Sequence, residues 1–574
     1  MPYAYRYGPL PEGRNRTRFR LWAPSAAAVT LQIGGHEPLF MARSAEGWHE
    51  ALAECGHGTR YKFVIGDIAV PDPASRMQDR DVHDWSVVTD PSSYEWQHNE
   101  WSGRPWEEAV LYELHPGLFG GFGGVEKHLE RLANLGITAI ELMPVADFPG
   151  ERNWGYDGVL PFAPDRSYGT PDELKRLIDT AHRHDLMMFL DVVYNHFGPD
   201  GNYLGLYAPE FFDESKHTPW GAAIDFRQPE VRRFFIENAT YWLDEFRFDG
   251  LRFDAVHAIC DESFLPELAR EIRSAVAPSR HIHLVVENDD NDSGLLRNGF
   301  DAQWDDDLHH VLHVLLTGEE RGYYEDYGGD PAVKLARGLS EGFIYQGDPS
   351  PFRGGARRGS STEDLSPTRF VFFLQNHDQI GNRAFGERLA SLANPKALEA
   401  AVALQMLSPD IPLIFMGEEV GAREPFLYFT DHHDPKLAEA VREGRRREFA
   451  KFPEFADEEK RAKIPDPNAI ETFQICIPRF APNSTSRLYS ELLRLRREYI
   501  VPGLRGAVSE GAWAIGPAAV LARWRLNDGA FLTVACNLGE QEANAELPES
   551  EPIWGARSEG ALPPATTLVW IEQP

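Results

Sequence analysis

The run VRRFFIENATYWLDEFRFDGLRFDAVH, residues 231–257, carries the pattern on which the fold turns. Val231, Phe234, Phe235, Trp242, Leu243 and Phe246 form one apolar stripe at helical spacing. The stripe leads directly into GLRFD, residues 250–254. Strand alternation there puts Leu251 and Phe253 on one face and Arg252 and Asp254 on the other. A helix feeding a short strand with a charged end is one unit of a repeating layout.

Outward from this unit the rhythm recurs. Further strand candidates are AVLYE (109–113), TAIEL (138–142), LMMFLD (186–191), HLVVE (283–287), FDAQW (300–304), FVFFL (370–374) and PLIFM (412–416), which with GLRFD makes eight. Between them lie helices such as the one opened by Thr170-Pro171-Asp172-Glu173, a capping box with proline at the first helical position. Leu174, Leu177, Ile178 and Ala181 then mark its buried face. Eight alternations predict an α/β chain built on a (β/α)8 TIM barrel rather than an open sheet, with its active site at the C-terminal ends of the strands.

The flanks read differently. FRLWAPSAAAVTLQI, WHEALAEC and TRYKFVIGD are short alternating runs that predict a β-sandwich over residues 1–90. Residues 91–108 form a tryptophan-punctuated linker packed on the next domain, and the barrel is expected over 109–480. A charged segment, 431–452, follows the eighth strand. Residues 481–574 hold a leucine- and arginine-rich helix and then short strands such as AVLARWRL and AFLTVACNL, a small C-terminal β domain.

Charge and cysteine content narrow the function. The net charge of -32 opposes a nucleic-acid-binding role and argues against anionic substrates, while a neutral ligand such as a carbohydrate is compatible. Cys55, Cys260, Cys476 and Cys536 are isolated and read as buried free thiols of a reducing compartment. The N-terminal stretch lacks the apolar core of a signal peptide, and no run approaches membrane-spanning length. A cytoplasmic protein is expected.

Four segments in order put polar groups at strand ends: DVVYNH from Asp191, GLRFDAVH from Gly250, LVVEN from Leu284 and FLQNHD from Phe373. An arginine beside a carboxylate favours its ionised form, so Arg252 next to Asp254 suits a nucleophile. An apolar strand delivering Glu287 to a partly desolvated position suits a general acid. Asp378 and His377 could grip adjacent sugar hydroxyls. Two carboxyls in different surroundings are what glycosidic bond cleavage requires.

These segments resemble the four signature regions of the α-amylase superfamily of retaining glycoside hydrolases. The resemblance covers most of the chain and makes the N-terminal sandwich immunoglobulin-like, of the glycogen-branching-enzyme type. It implies Asp254 as nucleophile, Glu287 as general acid/base and Asp378 as transition-state stabiliser. Arg252, His196 and His377 would line the subsite of cleavage, Tyr156 would be its aromatic platform, and Asp191 a buried scaffold residue. ELMPVADFPGERNWGYDG, GPDGNYLG, DAQWDDDLHHVLHVLLTGE, LQNHDQIGNR, FMGEEVGA and FLYFTDHHD are, more narrowly, similar to the trehalohydrolase family. Its members cleave the α-1,4 bond between a maltooligosyl chain and a terminal trehalose. The implied partners are maltooligosyltrehalose and trehalose, with a metabolic link to the synthase that makes the substrate and no cofactor. Asp157, His257, Glu418 and Glu419 are the expected groups for the 1,1-linked disaccharide, with Phe426 and Tyr428 as stacking surfaces.

The acidic and histidine-rich run Asp305, Asp306, Asp307, His309, His310, His313 has an i,i+4 histidine pair but no HExxH arrangement. It is expected to be a hydrogen-bonded loop bordering the sugar site. Asn195 lacks a recognisable calcium loop, and no metal is expected. Two other readings remain open: an α-1,4-glucan branching or debranching enzyme, and a catalytically inactive glucan-binding protein. The intact trio Asp254, Glu287 and Asp378 argues against the second.

Overall fold

The computed structural model describes residues 3–218, 221–450, 457–557 and 560–573. The outermost ends of the two flanking spans and Lys451 and Phe452 of the charged segment lie outside the described residues. Eight parallel strands close into a barrel in chain order, the first pairing with the eighth. They are β1 (Leu111–Leu114), β2 (Ala139–Leu142), β3 (Met187–Val192), β4 (Gly250–Phe253), β5 (His283–Val286), β6 (Ala302–Trp304), β7 (Phe370–Phe373) and β8 (Ile411–Phe415). Each falls within two residues of its sequence-predicted limits.

Helices pack outside. The helix α1 (Pro171–Arg183) opens with the expected capping box: the Thr170 side chain accepts from the Glu173 N–H, and Glu173 accepts from the Thr170 N–H at 2.8 Å. Leu174, Leu177, Ile178 and Ala181 are buried beneath it. The apolar stripe of the opening segment lies on α2 (Pro229–Asp244), buried against the barrel, with Phe246 just beyond its end.

The barrel interior has two levels. Leu111, Ala139, Phe189, Val285, Trp304 and Phe373 belong to a closed apolar cluster. Two residues further along the first four strands, the inward positions become Glu113, Glu141, Asp191 and Arg252, all buried. Glu113 pairs in register with Glu141, and Asp191 with Arg252. This polar level is the floor of the site.

A sheet of four strands and another of five precede the barrel. Glu237 of α2 accepts the backbone N–H groups of Arg6 and Tyr7, which ties this region to the barrel wall. The tryptophans of the following segment insert downward: Trp101 donates to Asp249 at 2.8 Å, and Trp106 joins the interior cluster while donating to the Thr368 carbonyl at 2.7 Å. A four-stranded antiparallel sheet, Val508–Gly516, Ala519–Arg525, Phe531–Asn537 and Thr566–Glu572, forms the C-terminal region. Cys55, Cys476 and Cys536 are buried free thiols, whereas Cys260 is exposed, because it sits on the open loop after β4. Among the described residues no helix is long and apolar enough to cross a membrane.

Gly250 begins β4 because nothing larger fits. A Cβ there would fall 2.1 Å from Cε1 of Phe189, whose ring fills the barrel centre and stacks on His283. Gly250→Ala is therefore expected to destabilise the protein by about 1–3 kcal/mol through overpacking. Urea unfolding followed by circular dichroism measures this, and an unchanged midpoint would contradict it.

Candidate active site

Arg252 is fully buried and organises the floor. Its Nη1 donates to Asp191 Oδ2 at 2.7 Å and to Asp254 Oδ1 at 2.9 Å, while Nη2 donates to Glu287 Oε2 at 2.9 Å. The guanidinium lies 4.2 Å from the Trp304 ring, which supports it from below. Arg252 thus serves three carboxylates, not Asp254 alone.

Asp254 lies one residue past β4, and the chain turns sharply behind it. Ala255 adopts a left-handed conformation, φ 39° and ψ 51°, uncommon for a residue with a Cβ. The turn aims the Ala255 N–H at Glu287 Oε2, 2.8 Å away. Asn195 donates to both the carbonyl and Oδ2 of Asp254 at 2.8 Å. Asp254 is therefore fixed by Arg252 and Asn195, and Glu287 by Arg252 and the Ala255 N–H.

His377 and Tyr156 form the opposite side of the floor. Tyr156 donates to Asp191 Oδ2 at 2.7 Å, lies 2.8 Å from His377 Nε2 and stacks on that ring at 5.1 Å. His196 contacts Asn195 Oδ1 and the Tyr156 carbonyl. Burial pushes the His196 pKa down. Burial likewise pushes the Asp191 carboxyl up, to about 7, despite Arg252 beside it.

Above the floor opens a cavity of about 640 Å³. Asp254, Glu287, Asp378, His196, His377, Tyr156, Asp157 and His257 all line it. Arg252 does not line it but braces its acids from beneath. Glu418 is not among the lining residues either: it accepts from the Phe415 N–H at 3.0 Å and the Tyr489 hydroxyl at 3.3 Å, and burial pushes its carboxyl up to about 8. Glu419 turns away to Tyr112, Arg131 and the Gly417 N–H. These two acids tie the last strand to its surroundings instead of facing the cavity. Phe426 is buried in a stack with Trp154, whereas Tyr428 reaches the cavity.

The acidic and histidine-rich run is mostly a helix, α3 (Asp306–Thr317), capped by Asp305, and not a loop. Its side chains are taken up by the protein. Asp307 accepts from Asn291, Tyr327, Arg358 and the backbone of Ile344 and Tyr345. His309 bonds the Leu374 carbonyl, and His313 bonds Glu319. Asp306 and His310 reach the cavity wall. Asp306 is pushed well above the usual carboxylate range by burial and by the nearby Glu287.

A parallel eight-stranded barrel with three acids at its mouth is the α-amylase architecture, and the model of the alpha amylase catalytic domain matches residues 76–208. A domain of unknown function, DUF3459, matches residues 509–570 of the C-terminal sheet. The malto-oligosyltrehalose trehalohydrolase of Saccharolobus solfataricus is 42% identical over 498 residues, covering 84% of this chain and 85% of its own. That of Deinococcus radiodurans is 40% identical over 503 residues, covering 85% and 82%. A crystal structure from Salmonella typhimurium, described as a candidate alpha amylase, superposes with a TM-score of 0.93 at 42% identity over the whole of both chains. The chain belongs to the malto-oligosyltrehalose trehalohydrolase family.

Sequence reading missed Glu113 and Glu141 at the site, and placed Asp306 only in a run bordering it. The first two had a signal, a charged residue at an inward position of an otherwise apolar barrel strand. Among the described residues, neither carboxylate oxygen of Glu141 has a hydrogen-bond partner. Burial, then Glu113 and Asp191, push its carboxyl well above the usual range, so it is held as a neutral acid. A carboxyl whose folded pKa is raised binds its proton more tightly than in the unfolded chain. Its stabilising contribution is complete below the unfolded pKa, about 4.3, and is lost as pH rises through the folded value. Glu141→Gln should therefore melt higher than the wild type at pH 8, with the advantage shrinking toward pH 5. Melting temperatures at the two pH values decide this; an equal gap at both would refute the neutral acid.

Proposed function

We infer that the chain is a retaining glycoside hydrolase that cleaves the α-1,4 bond between the maltooligosyl chain and the terminal trehalose of maltooligosyltrehalose, releasing trehalose. The observation that carries the chemistry is the bridging of Asp254 and Glu287 by one guanidinium. Such a bridge suits the close carboxyl spacing of retaining enzymes, about 5–5.5 Å, better than the ~6.5–9.5 Å of inverting ones. Membership of the trehalohydrolase family supports the substrate.

In this reading Asp254 is the nucleophile. Donors from Arg252 and Asn195, one to each oxygen, fix its carboxylate for attack on the anomeric carbon. Glu287 is the acid/base. Arg252 and the Ala255 N–H converge on its Oε2, which leaves Oε1 to carry the proton. Protonation of the glycosidic oxygen releases trehalose and leaves a glycosyl ester on Asp254. Glu287 then deprotonates the water that hydrolyses this ester. Asp378 grips the hydroxyls of the reacting sugar, and Tyr156 packs beneath it.

His257 and Asp157 border the cavity at separate points. His257 accepts from the Asp289 N–H at 3.3 Å, and Asp157 is held by Asn153 at 2.6 Å. Both are proposed to bind sugar hydroxyls. In the same reading the chain is organised as a sandwich (1–90), a linker (91–108), the barrel (109–480) and a C-terminal helix and β domain (481–574). A synthase that builds the 1,1-linkage at a glucan end would supply the substrate. A cytoplasmic site is proposed from four cysteines that form no disulfide.

Incubation with maltotriosyltrehalose should release trehalose, followed by chromatography. Release should fall by about 10²- to 10⁴-fold in Glu287→Gln and be lost in Asp254→Ala, with both variants folded. Branch points forming on amylose with no trehalose released would favour a branching enzyme, and an active Asp254→Ala would refute the assignment of the nucleophile.

A further inference from the structure

Glu113, at the end of β1, has no part in the chemistry above, yet both its carboxylate oxygens address one residue. Oε1 lies 2.5 Å from His377 Nδ1, and Oε2 accepts the His377 backbone N–H at 3.2 Å. On its far side the imidazole meets Tyr156, whose hydroxyl donates to Asp191. A hydroxyl has one proton. Spent on Asp191, it leaves Tyr156 able only to accept from Nε2, so Nε2 carries a proton. Nδ1, facing a carboxylate, carries one as well. With Asp191 and Glu113 ionised, these hydrogen-bond directions make the ring an imidazolium.

We propose that Glu113 is a positioning residue that holds His377 as a fixed cation in the cavity floor, and that this cation orients Asp378, whose Oδ1 lies 3.6 Å from Nε2. The proposal deepens the reading of the cavity as a glucan site. A bidentate clamp on the backbone and ring of one residue fixes both its position and its charge.

Every element packed on the ring bears on that charge. Glu113 comes from β1, Glu141 from β2, Asp191 from β3 and Arg252 from β4, with His115 from the loop after β1 and Asp378 and Tyr156 at the cavity. The rings of Trp154 and Trp304 complete the enclosure. Burial pulls the imidazole down, but Asp378 and Glu113 outweigh it and push it up to about 9. Arg252 opposes them.

The test is nuclear magnetic resonance of protein labelled with 15N in its histidine rings, with His377 identified by its loss in His377→Gln. The wild-type ring should carry both protons at pH 8. In Glu113→Gln it should titrate about one to three units lower, and the alkaline limb of kcat/KM should move to lower pH with it. Glu113→Gln added to His377→Gln should cost nothing further. A neutral His377 at pH 8 in the wild type, an unmoved titration in Glu113→Gln, or effects that multiply would each overturn the proposal. If Glu113→Gln does not fold, the wild-type titration decides alone. The ring titration needs no substrate, so failure to release trehalose would remove the function while leaving this result standing.

Discussion

A single buried guanidinium sets the geometry of this protein's mouth. Arg252 holds Asp191 from β3, Asp254 from β4 and Glu287 from β5, so three consecutive strand ends are locked to one another through one side chain. Removing two charges from water is costly, and the return comes only when the geometry is good and the remaining polar atoms are satisfied. Here Trp304 covers one face of the guanidinium, and Asn195 and the Ala255 N–H supply the further donors that the acids require. The left-handed Ala255 is part of the same arrangement: the backbone turn that releases Asp254 from the strand delivers an N–H to Glu287.

Carboxyls outnumber cations around this point. Glu113, Glu141, Asp191, Asp254, Glu287 and Asp378 surround Arg252 and His377, so the floor cannot ionise throughout. The excess is relieved at Glu141, which is buried with no hydrogen-bond partner on either oxygen among the described residues, and partly at Asp191. His377 is driven the other way, gaining a proton from its position between Glu113 and Asp378. The apolar cluster below keeps water out and makes these charges interact strongly.

Much of this was legible in the sequence, because its signals are local. Eight short apolar runs alternating with helices predict a barrel, and a charged residue at a strand's end predicts a mouth. Arg252 and Asp254 share a face by alternation alone. What was not legible depends on long-range closure. That Arg252 reaches Glu287, 35 residues away, follows from β4 and β5 being neighbours. Glu418 looked available at the end of β8, but the turn through Gly417, at φ 91°, folds it inward toward Tyr489. The acidic and histidine-rich run after β6, expected as a loop bordering the sugar site, is a helix capped by Asp305, a local signal that the loop expectation passed over.

The central claim is that Arg252 presents Asp254 as the nucleophile of a double displacement. Trapping the glycosyl-enzyme with a 5-fluoro-α-glycosyl fluoride, followed by proteolysis and peptide mass spectrometry, tests it most directly. The account predicts a single glycosyl group on the peptide carrying Asp254, at that residue. A label on Glu287 or Asp378, or turnover of the reagent with inversion at the anomeric carbon and no labelled peptide, would contradict it.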